Sequence, residues 1–158
     1  MENKQDVDFL NYLSCDEEKG IHRSDRQIFT DPDIFELEMK YVFGKSWLYL
    51  CHESQLKNPN DFFTVQMGRQ PVIVTRDKEG QLHGFISHRG AQLINTTCGN
   101  ARTLVCPFHA WCFDTKGALL DCGESKGNVG YSDHFSKDDL GLQPIGHIES
   151  YRGFIFGT

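Results

Sequence analysis

The segment CPFHAW, residues 106–111, contains the most informative pattern in the chain. Cys106 and His109 are separated by two residues, and Pro107 between them restricts the backbone, as expected of a tight loop. A second imidazole, His88, lies eighteen residues before Cys106 and is followed directly by Arg-Gly. One thiol and two imidazoles, each next to loop-forming residues, indicate two loops that bind one metal centre.

Short strand-like runs surround both loops. They lie at residues 47–51, 62–67, 72–76, 82–86, 111–113, 118–120, 145–148 and 153–156. Turn-forming residues separate several of these runs, at 68–71, 77–80 and 114–117, and residues 123–137 have the composition of a long loop. The pattern predicts an antiparallel meander or small barrel, with Trp47 and Tyr49 in its core.

The region before the strands has a different periodicity. Residues 1–20 are polar and lack a sustained pattern, so we expect a loose N-terminus. Asp31-Pro32 then reads as a helix cap with proline at the first helical position, and the helical spacing continues to Gly44. We therefore expect a tail and a helix in residues 1–45, with the helix near 32–43, and a β domain in residues 46–158.

Size, charge and cysteine content limit the function classes. The 158 residues suffice for one ordinary domain, and the formal net charge of -6 disfavours binding to nucleic acid or to an anionic membrane. No stretch has the roughly 18 apolar residues of a membrane helix, and the N-terminal residues do not form an export signal, so a cytoplasmic protein is expected. The six cysteines are then expected to be reduced. Cys51 and Cys112 are expected to be small buried hydrophobic residues.

Several segments in order resemble the Rieske domain of the large (alpha) subunit of bacterial aromatic-ring-hydroxylating oxygenases, in particular those acting on benzoate, anthranilate, salicylate or terephthalate. The resemblance is carried by residues 28–55, 68–86, 87–93, 106–120 and 149–158. It implies a mainly β fold, namely a Rieske-type antiparallel β-sandwich or barrel with two cluster-binding loops, preceded by an N-terminal α-helix. It also implies a [2Fe-2S] cluster whose ligands include His88, Cys106 and His109.

One position departs from the family pattern. The family runs F-I-N-x-C-x-H-R-G in the first loop, whereas this chain runs FISHRG over residues 85–90, so three residues are missing and the ligand cysteine is among them. The position two residues before His88 is Ile86, and Cys98 lies ten residues beyond His88 without ligand-like neighbours. The sequence therefore leaves two outcomes open for this chain: an intact [2Fe-2S] cluster, or a cluster that is incomplete or absent.

The resemblance implies electron transfer as the function. In the family the cluster relays electrons from a ferredoxin or reductase to a mononuclear Fe(II) in the catalytic domain of a neighbouring large subunit, and a small beta subunit is a further partner. We expect that C-terminal catalytic domain to be absent here, and the chain not to be catalytically competent alone. Two alternatives remain open: a free Rieske-type ferredoxin, which the helical region argues against, and a cluster-free or zinc-binding β domain.

The remaining histidines lack a ligand pattern and are expected to be structural or exposed to solvent: His22, His52, His83, His134 and His147. Arg89 has two equally supported interpretations, either solvation of the first loop or contact with a partner at the edge of the cluster.

Overall fold

The computed structural model describes residues 9–86, 93–122 and 140–158. The chain forms two compact units, Met1–Ser46 and Trp47–Thr158. In the described residues the fold is mainly β, with several antiparallel sheets and one short α-helix, which confirms the predicted fold class.

A short antiparallel hairpin in the first unit was not predicted. After a 3-10 turn at Phe9–Tyr12, β1 (Leu13–Asp16) pairs with β2 (Ile21–Ser24). The connecting turn is closed by the carboxylate of Asp16, which accepts the Lys19 backbone N–H at 3.1 Å. Most hairpin side chains are exposed, so no alternation of apolar and polar residues marks the strands in the sequence. The expectation of a loose segment is therefore wrong for residues 9–20.

The helix predicted near residues 32–43 is confirmed. Helix α1 (Pro32–Glu38) continues as a π-helical turn at Met39–Phe43, and Gly44 follows. The Asp31 side chain caps the helix, because its Oδ1 accepts the backbone N–H groups of residues 33 and 34 at 2.8 and 3.2 Å. A side chain at Gly44, which caps the end of the helical segment, would place its Cβ only 3.0 Å from the Met39 carbonyl oxygen, so the position favours glycine.

Among its described residues, the second unit contains three antiparallel sheets. Its strands are β3 (Leu48–His52), β4 (Asp61–Met67), β5 (Gln70–Arg76), β6 (Leu82–Ile86), β7 (Cys98–Asn100), β8 (Thr103–Val105), β9 (Cys112–Asp114), β10 (Leu119–Asp121), β11 (Gln143–Pro144), β12 (Ile148–Tyr151) and β13 (Phe154–Gly157). The central sheet has the order β11-β6-β5-β4-β7, and the two outer sheets have the orders β10-β9-β8 and β12-β13-β3.

The described part of the second unit has two cores, on opposite faces of the central sheet. Strand β5 shows the division, because Ile73 belongs to one core and Val72 and Val74 belong to the other. The first core, shared with β8–β10, comprises Phe62, Ile73, Phe85, Leu93, Leu104, Cys106, Trp111, Phe113, Leu119, Cys122 and Leu142. The second core, shared with β3 and β13, comprises Leu50, Cys51, Leu56, Val72, Val74, Ile145 and Ile155. A strand buried on both faces explains the continuous apolar run of β5.

Some details of the β prediction need correction. The predicted strand at 145–148 is wrong over most of its length, because β11 ends at Pro144 and β12 begins at Ile148. The Ile145 backbone N–H still donates to Gly84 O at 3.0 Å, so a single ladder bond extends beyond β11. Strands β7 and β8 were not predicted. The predicted loop at 123–137 lies outside the described residues.

The placement of Trp47 and Tyr49 in the core is also wrong, because their residues are 50 % and 52 % exposed. Alternation identifies the two faces of a strand but not which one is covered. A register shift in the β13–β3 pairing lets Leu50 and Cys51, which are consecutive, both enter the second core. Tyr49 is left on the outer face of its sheet.

Candidate metal centre

The segment 106–111 forms the tip of the hairpin between β8 and β9. The Cys106 backbone N–H donates to Trp111 O at 2.8 Å, and the Ala110 N–H donates back to Cys106 O at 3.0 Å. Ala110 adopts φ +56°, a left-handed conformation that is uncommon for a residue with a side chain, and its carbonyl accepts the Cys112 thiol at 3.4 Å. These bonds hold Cys106 and His109 in one tight turn, as the x2 spacing predicted.

The two candidate ligands of this turn differ in burial. Cys106 is 1 % exposed and belongs to the first core, together with Trp111, which is 9 % exposed. His109 is exposed, and its ring centroid lies 6.4 Å from that of Phe108, which is 68 % exposed. The turn therefore anchors its thiol in the core and presents its imidazole at the surface.

The β9–β10 turn fixes this hairpin against the central sheet. Thr75 Oγ1 donates to Thr115 O at 2.7 Å in a buried position, which ties β5 to the turn. Gly117 adopts φ +85°, and a Cβ there would lie 2.4 Å from the Phe85 ring, so glycine is needed for both conformation and space. The end of β9 remote from Cys106 is thus held against the central sheet.

Asp77 forms a second connection between this turn and the central sheet. Its buried carboxylate accepts the backbone N–H groups of Glu79 and Gln81 at Oδ1, at 3.0 and 2.8 Å, and bonds His83 Nε2 at 2.9 Å through Oδ2. Lys116 Nζ, from the β9–β10 turn, lies 3.7 Å from the same Oδ2. Burial alone would raise the pKa of Asp77, but the His83 bond and the backbone donors outweigh it and lower that pKa.

The sequence pattern around His88 follows β6 in the chain. Residues 87–92, which include His88 and Arg89, lie outside the described residues. Ile86, at the position where the resemblance places a cysteine, is the last residue of β6 and pairs with Val72 on one side and Gln143 on the other. Its side chain packs against the second core, whereas Cys106 lies in the first. Ile86 therefore lies on the face of the central sheet opposite to Cys106.

The donors among the described residues do not form a complete four-ligand cluster site. Within residues 9–86, 93–122 and 140–158, no three His, Cys, Asp or Glu side chains are grouped as a metal site. Cys98 is exposed on β7, and Cys122 is a buried member of the first core that the sequence pattern did not single out. The Cys106–His109 turn offers one thiol and one imidazole, and residues 87–92, whose sequence contains no cysteine, lie outside the described residues.

The other histidines within the described residues have structural surroundings. His83 bonds Asp77, and His52 Nδ1 lies 2.9 Å from Ser54 Oγ at the start of a 3-10 turn. The His147 ring centroid lies 6.1 Å from that of Trp47, and His22 is exposed on β2. His134 lies outside the described residues. Cys51 and Cys112 were both expected to be buried; Cys51 is buried, and Cys112 is only partly buried.

Comparison with known proteins gives a consistent family assignment. A family model described as "Rieske [2Fe-2S] domain" matches residues 46–131. The toluate 1,2-dioxygenase alpha subunit of Pseudomonas putida is 48% identical over 157 residues, covering 96% of this chain and 34% of that protein. The anthranilate 1,2-dioxygenase large subunit of Acinetobacter baylyi is 48% identical over 140 residues, covering 87% of this chain and 29% of that protein.

A solved structure agrees in fold. The crystal structure of naphthalene 1,2-dioxygenase from Rhodococcus sp. bound to indole superposes with a TM-score of 0.76 at 31% identity, covering 83% of this chain and 30% of that chain. The chain thus spans about a third of the length of the curated relatives it matches. No helix in the described part of the chain is long and apolar enough to cross a membrane.

Proposed function

The chain belongs to the Rieske [2Fe-2S] domain family, and from this membership we propose that it is the electron-transfer domain of an aromatic-ring-hydroxylating oxygenase large subunit. The observation that carries the proposal is the β8–β9 tip, where two reciprocal backbone bonds hold Cys106 and His109 in one turn. An imidazole ligand raises the reduction potential of a cluster relative to a thiolate, and a surface imidazole is accessible to an electron partner.

We propose His88, Cys106 and His109 as the ligands that the chain contributes to a [2Fe-2S] cluster. A bound cluster supplies one-electron redox chemistry. The proposed partners are a ferredoxin or reductase as donor, and a mononuclear Fe(II) in the catalytic domain of a neighbouring large subunit as acceptor. A small beta subunit and a cytoplasmic location, where thiols stay reduced, complete the proposal. The relatives named as large subunits of dioxygenases support it.

The chain needs a fourth donor before a cluster of this kind is fully ligated by protein. The shortened sequence around residues 85–90 lacks the cysteine that the family pattern places there. Ile86 cannot be regarded as a replaced ligand, because its strand position directs it to the second core. The missing donor therefore reflects three absent loop residues rather than one substitution.

Restoring the loop tests this proposal. We expect insertion of Asn-x-Cys between Ile86 and Ser87 to raise iron and acid-labile sulfide after anaerobic reconstitution, with a Rieske-type EPR signal on reduction. The control is an Asn-x-Ser insertion, which restores the same length without the thiol. Equal iron in the Cys-inserted and present chains would contradict the proposed gap, and a Cys-inserted chain without an EPR signal would contradict the electron-transfer function.

The role of His109 can be tested in the inserted chain. Replacing His109→Cys exchanges an imidazole for a thiolate, which donates more negative charge, so the reduction potential of the cluster should fall. Protein-film voltammetry on the two inserted chains measures the difference. An unchanged potential would show that His109 does not bind the cluster.

A zinc-binding β domain is the second candidate, and the missing cysteine favours it. His88, Cys106 and His109 with one outside ligand would satisfy tetrahedral Zn²⁺. Elemental analysis of the present chain, purified from medium that contains both iron and zinc, distinguishes the zinc-binding domain from the Rieske domain. Stoichiometric zinc that persists after the Cys insertion would support the zinc domain and count against the Rieske function.

A further inference from the structure

The β8–β9 tip separates its two candidate ligands by burial. Cys106 is 1 % exposed and lies in the first core, whereas His109 and the other residues of 107–110 are exposed. A metal bound by this turn has to contact both the thiolate and the imidazole. The closed tip therefore has to open before the Cys106 thiol can react with anything that comes from solvent.

Ala110 is a strained residue of the β8–β9 tip. Its φ of +56° lies in the left-handed region, where the Cβ of an L-residue comes too close to a carbonyl oxygen. Among the described residues, Asn60 and Arg152 share this conformation, at φ +66° and +52°. Asparagine tolerates it because its side chain can form local hydrogen bonds, but the methyl group of alanine cannot compensate the strain in that way.

The strained residue is also the one whose hydrogen bonds close the tip. The Ala110 N–H donates to Cys106 O at 3.0 Å, and the Ala110 carbonyl accepts the Cys112 thiol at 3.4 Å. Opening the tip breaks these bonds but lets Ala110 leave the left-handed region, so the strain lowers the free energy of opening. The exposed residues 107–110 bury little surface that would resist this movement, which is typical of segments that open locally.

Cys51 has the same exposure as Cys106 and allows a direct comparison of access. Both cysteines are 1 % exposed, and each belongs to one of the two cores. Cys51 lies within β3, opposite Ile155 of β13, so these two strands have to separate before its thiol is reached. Cys106 directly follows β8, at the base of the turn. A turn opens at a lower free energy than a strand in the middle of a sheet, so equal burial does not imply equal access.

We propose that the β8–β9 tip opens locally to give access to the Cys106 thiol, and that the strain of Ala110 sets how often it opens. This inference rests on the proposed function in one respect, because it takes Cys106 as a metal ligand. Ala110 is then a positioning residue, which acts through the closure of the turn that holds Cys106 and His109. Relief of the strain at position 110 keeps the thiol enclosed for longer and slows its reaction with any external partner.

Thiol labelling under native conditions tests the local opening. The full chain, freed of metal with a chelator, is treated with dilute iodoacetamide, and mass spectrometry follows each cysteine. Each rate is divided by that of the same cysteine in the urea-unfolded chain, so that it reports the population of the open form. We expect Cys106 to be labelled about tenfold faster than Cys51. Equal normalised rates would overturn the proposal, because both thiols would then be exposed by the same global unfolding.

Substitutions at position 110 separate strain from flexibility. Glycine and asparagine both tolerate the left-handed region, so we expect Ala110→Gly and Ala110→Asn each to slow the labelling of Cys106 about threefold. If the flexibility of the tip were decisive, Ala110→Gly would instead accelerate the labelling, because glycine gains more conformational freedom on opening. Acceleration, or an unchanged rate in both variants, would overturn the role of Ala110.

The matched control is Arg152→Gly, which makes a corresponding change at φ +52° in the turn between β12 and β13. This turn belongs to the other outer sheet, so the substitution should leave the local opening of the tip and the labelling of Cys106 unchanged. Slowing like that of Ala110→Gly would overturn the proposal, because Cys106 would then be exposed by unfolding of the whole unit. Because the labelling needs no iron, its failure is distinguishable from failure of the iron analysis that tests the proposed function.

Discussion

Replacing Asp77→Asn should destabilise the second unit more than any other single carboxylate-to-amide change within the described residues. Asp77 is 1 % exposed. Its carboxylate accepts two backbone N–H groups, forms a hydrogen bond with the His83 ring and lies near the Lys116 ammonium group. Asparagine retains an oxygen for the backbone donors but directs an NH₂ group or a weaker acceptor at His83. Hydrogen bonds to charged groups contribute about 1.5–3 kcal/mol each, so we expect a loss of about 2–3 kcal/mol in the free energy of unfolding.

The loss of stability caused by Asp77→Asn should become smaller as the pH falls. Because the folded-state pKa of Asp77 is lowered, its ionised form stabilises the fold above the ordinary pKa of an unfolded aspartate, about 3.9. That contribution is lost as pH falls through the lower folded-state pKa. The difference between the parent chain and Asp77→Asn should therefore be full at pH 7 and should shrink at pH values below about 4.

Urea unfolding at pH 7, 5 and 3 measures this difference. The chain has two tryptophans, Trp47 and Trp111, and both lie in the second unit, so tryptophan fluorescence reports on the unit that contains Asp77. The control is Glu79→Gln, two residues away, whose side chain is 47 % exposed and pairs with Lys116 at 3.0 Å; little change is expected. A difference at pH 7 below about 0.5 kcal/mol, or one that grows on acidification, would refute the reasoning.

Three further outcomes are expected. Gly117→Ala should cost about 2–4 kcal/mol in chemical unfolding, because its Cβ would lie 2.4 Å from the Phe85 ring in a backbone with φ +85°; a smaller loss would show that the turn shifts freely. Burial raises the pKa of Cys51 to about 12, so its thiol should resist a thiol reagent at pH 8 in the native chain, whereas the exposed Cys15 should react. Equal labelling of the two cysteines would contradict the burial of Cys51. Ile86→Cys should not raise iron content as the Asn-x-Cys insertion does, since this side chain packs on the second core; matching iron in the two variants would contradict that orientation.

The sequence predicted the parts of the fold that depend on local periodicity and capping. The Asp31-Pro32 cap and Gly44 predicted the helix, and the apolar run of β5 was recognisable because both of its faces are buried. The N-terminal hairpin escaped prediction, because its stability comes from turn chemistry at Asp16 and Gly20 rather than from an apolar face. Alternation of apolar and polar residues separates the two faces of a strand, but packing between sheets decides which face is buried, as the exposed Trp47 and Tyr49 show.

The sequence likewise predicted some features of the candidate site and not others. The spacing of Cys106 and His109 predicted a shared loop, and the backbone bonds of the β8–β9 tip agree with it. The left-handed Ala110 that completes this turn has no sequence signal, since alanine is not a residue that favours positive φ. The missing cysteine was evident from the pattern, but only the packing of Ile86 on the second core shows why its position cannot substitute.

The packing of the fold and the candidate metal ligands depend on different parts of the chain. The residues of both cores lie on strands and on the segments beside them. The β8–β9 tip that carries Cys106 is closed by backbone hydrogen bonds, which need no metal. Leu93 is buried in the first core at 2 % exposure, and Phe85 on β6 belongs to the same core. Loss of three loop residues can therefore remove a ligand while the sheets remain packed. It follows that a metal-free chain should unfold cooperatively, because its free energy of folding comes from the burial of side chains such as Phe113 and Ile155 rather than from ligation.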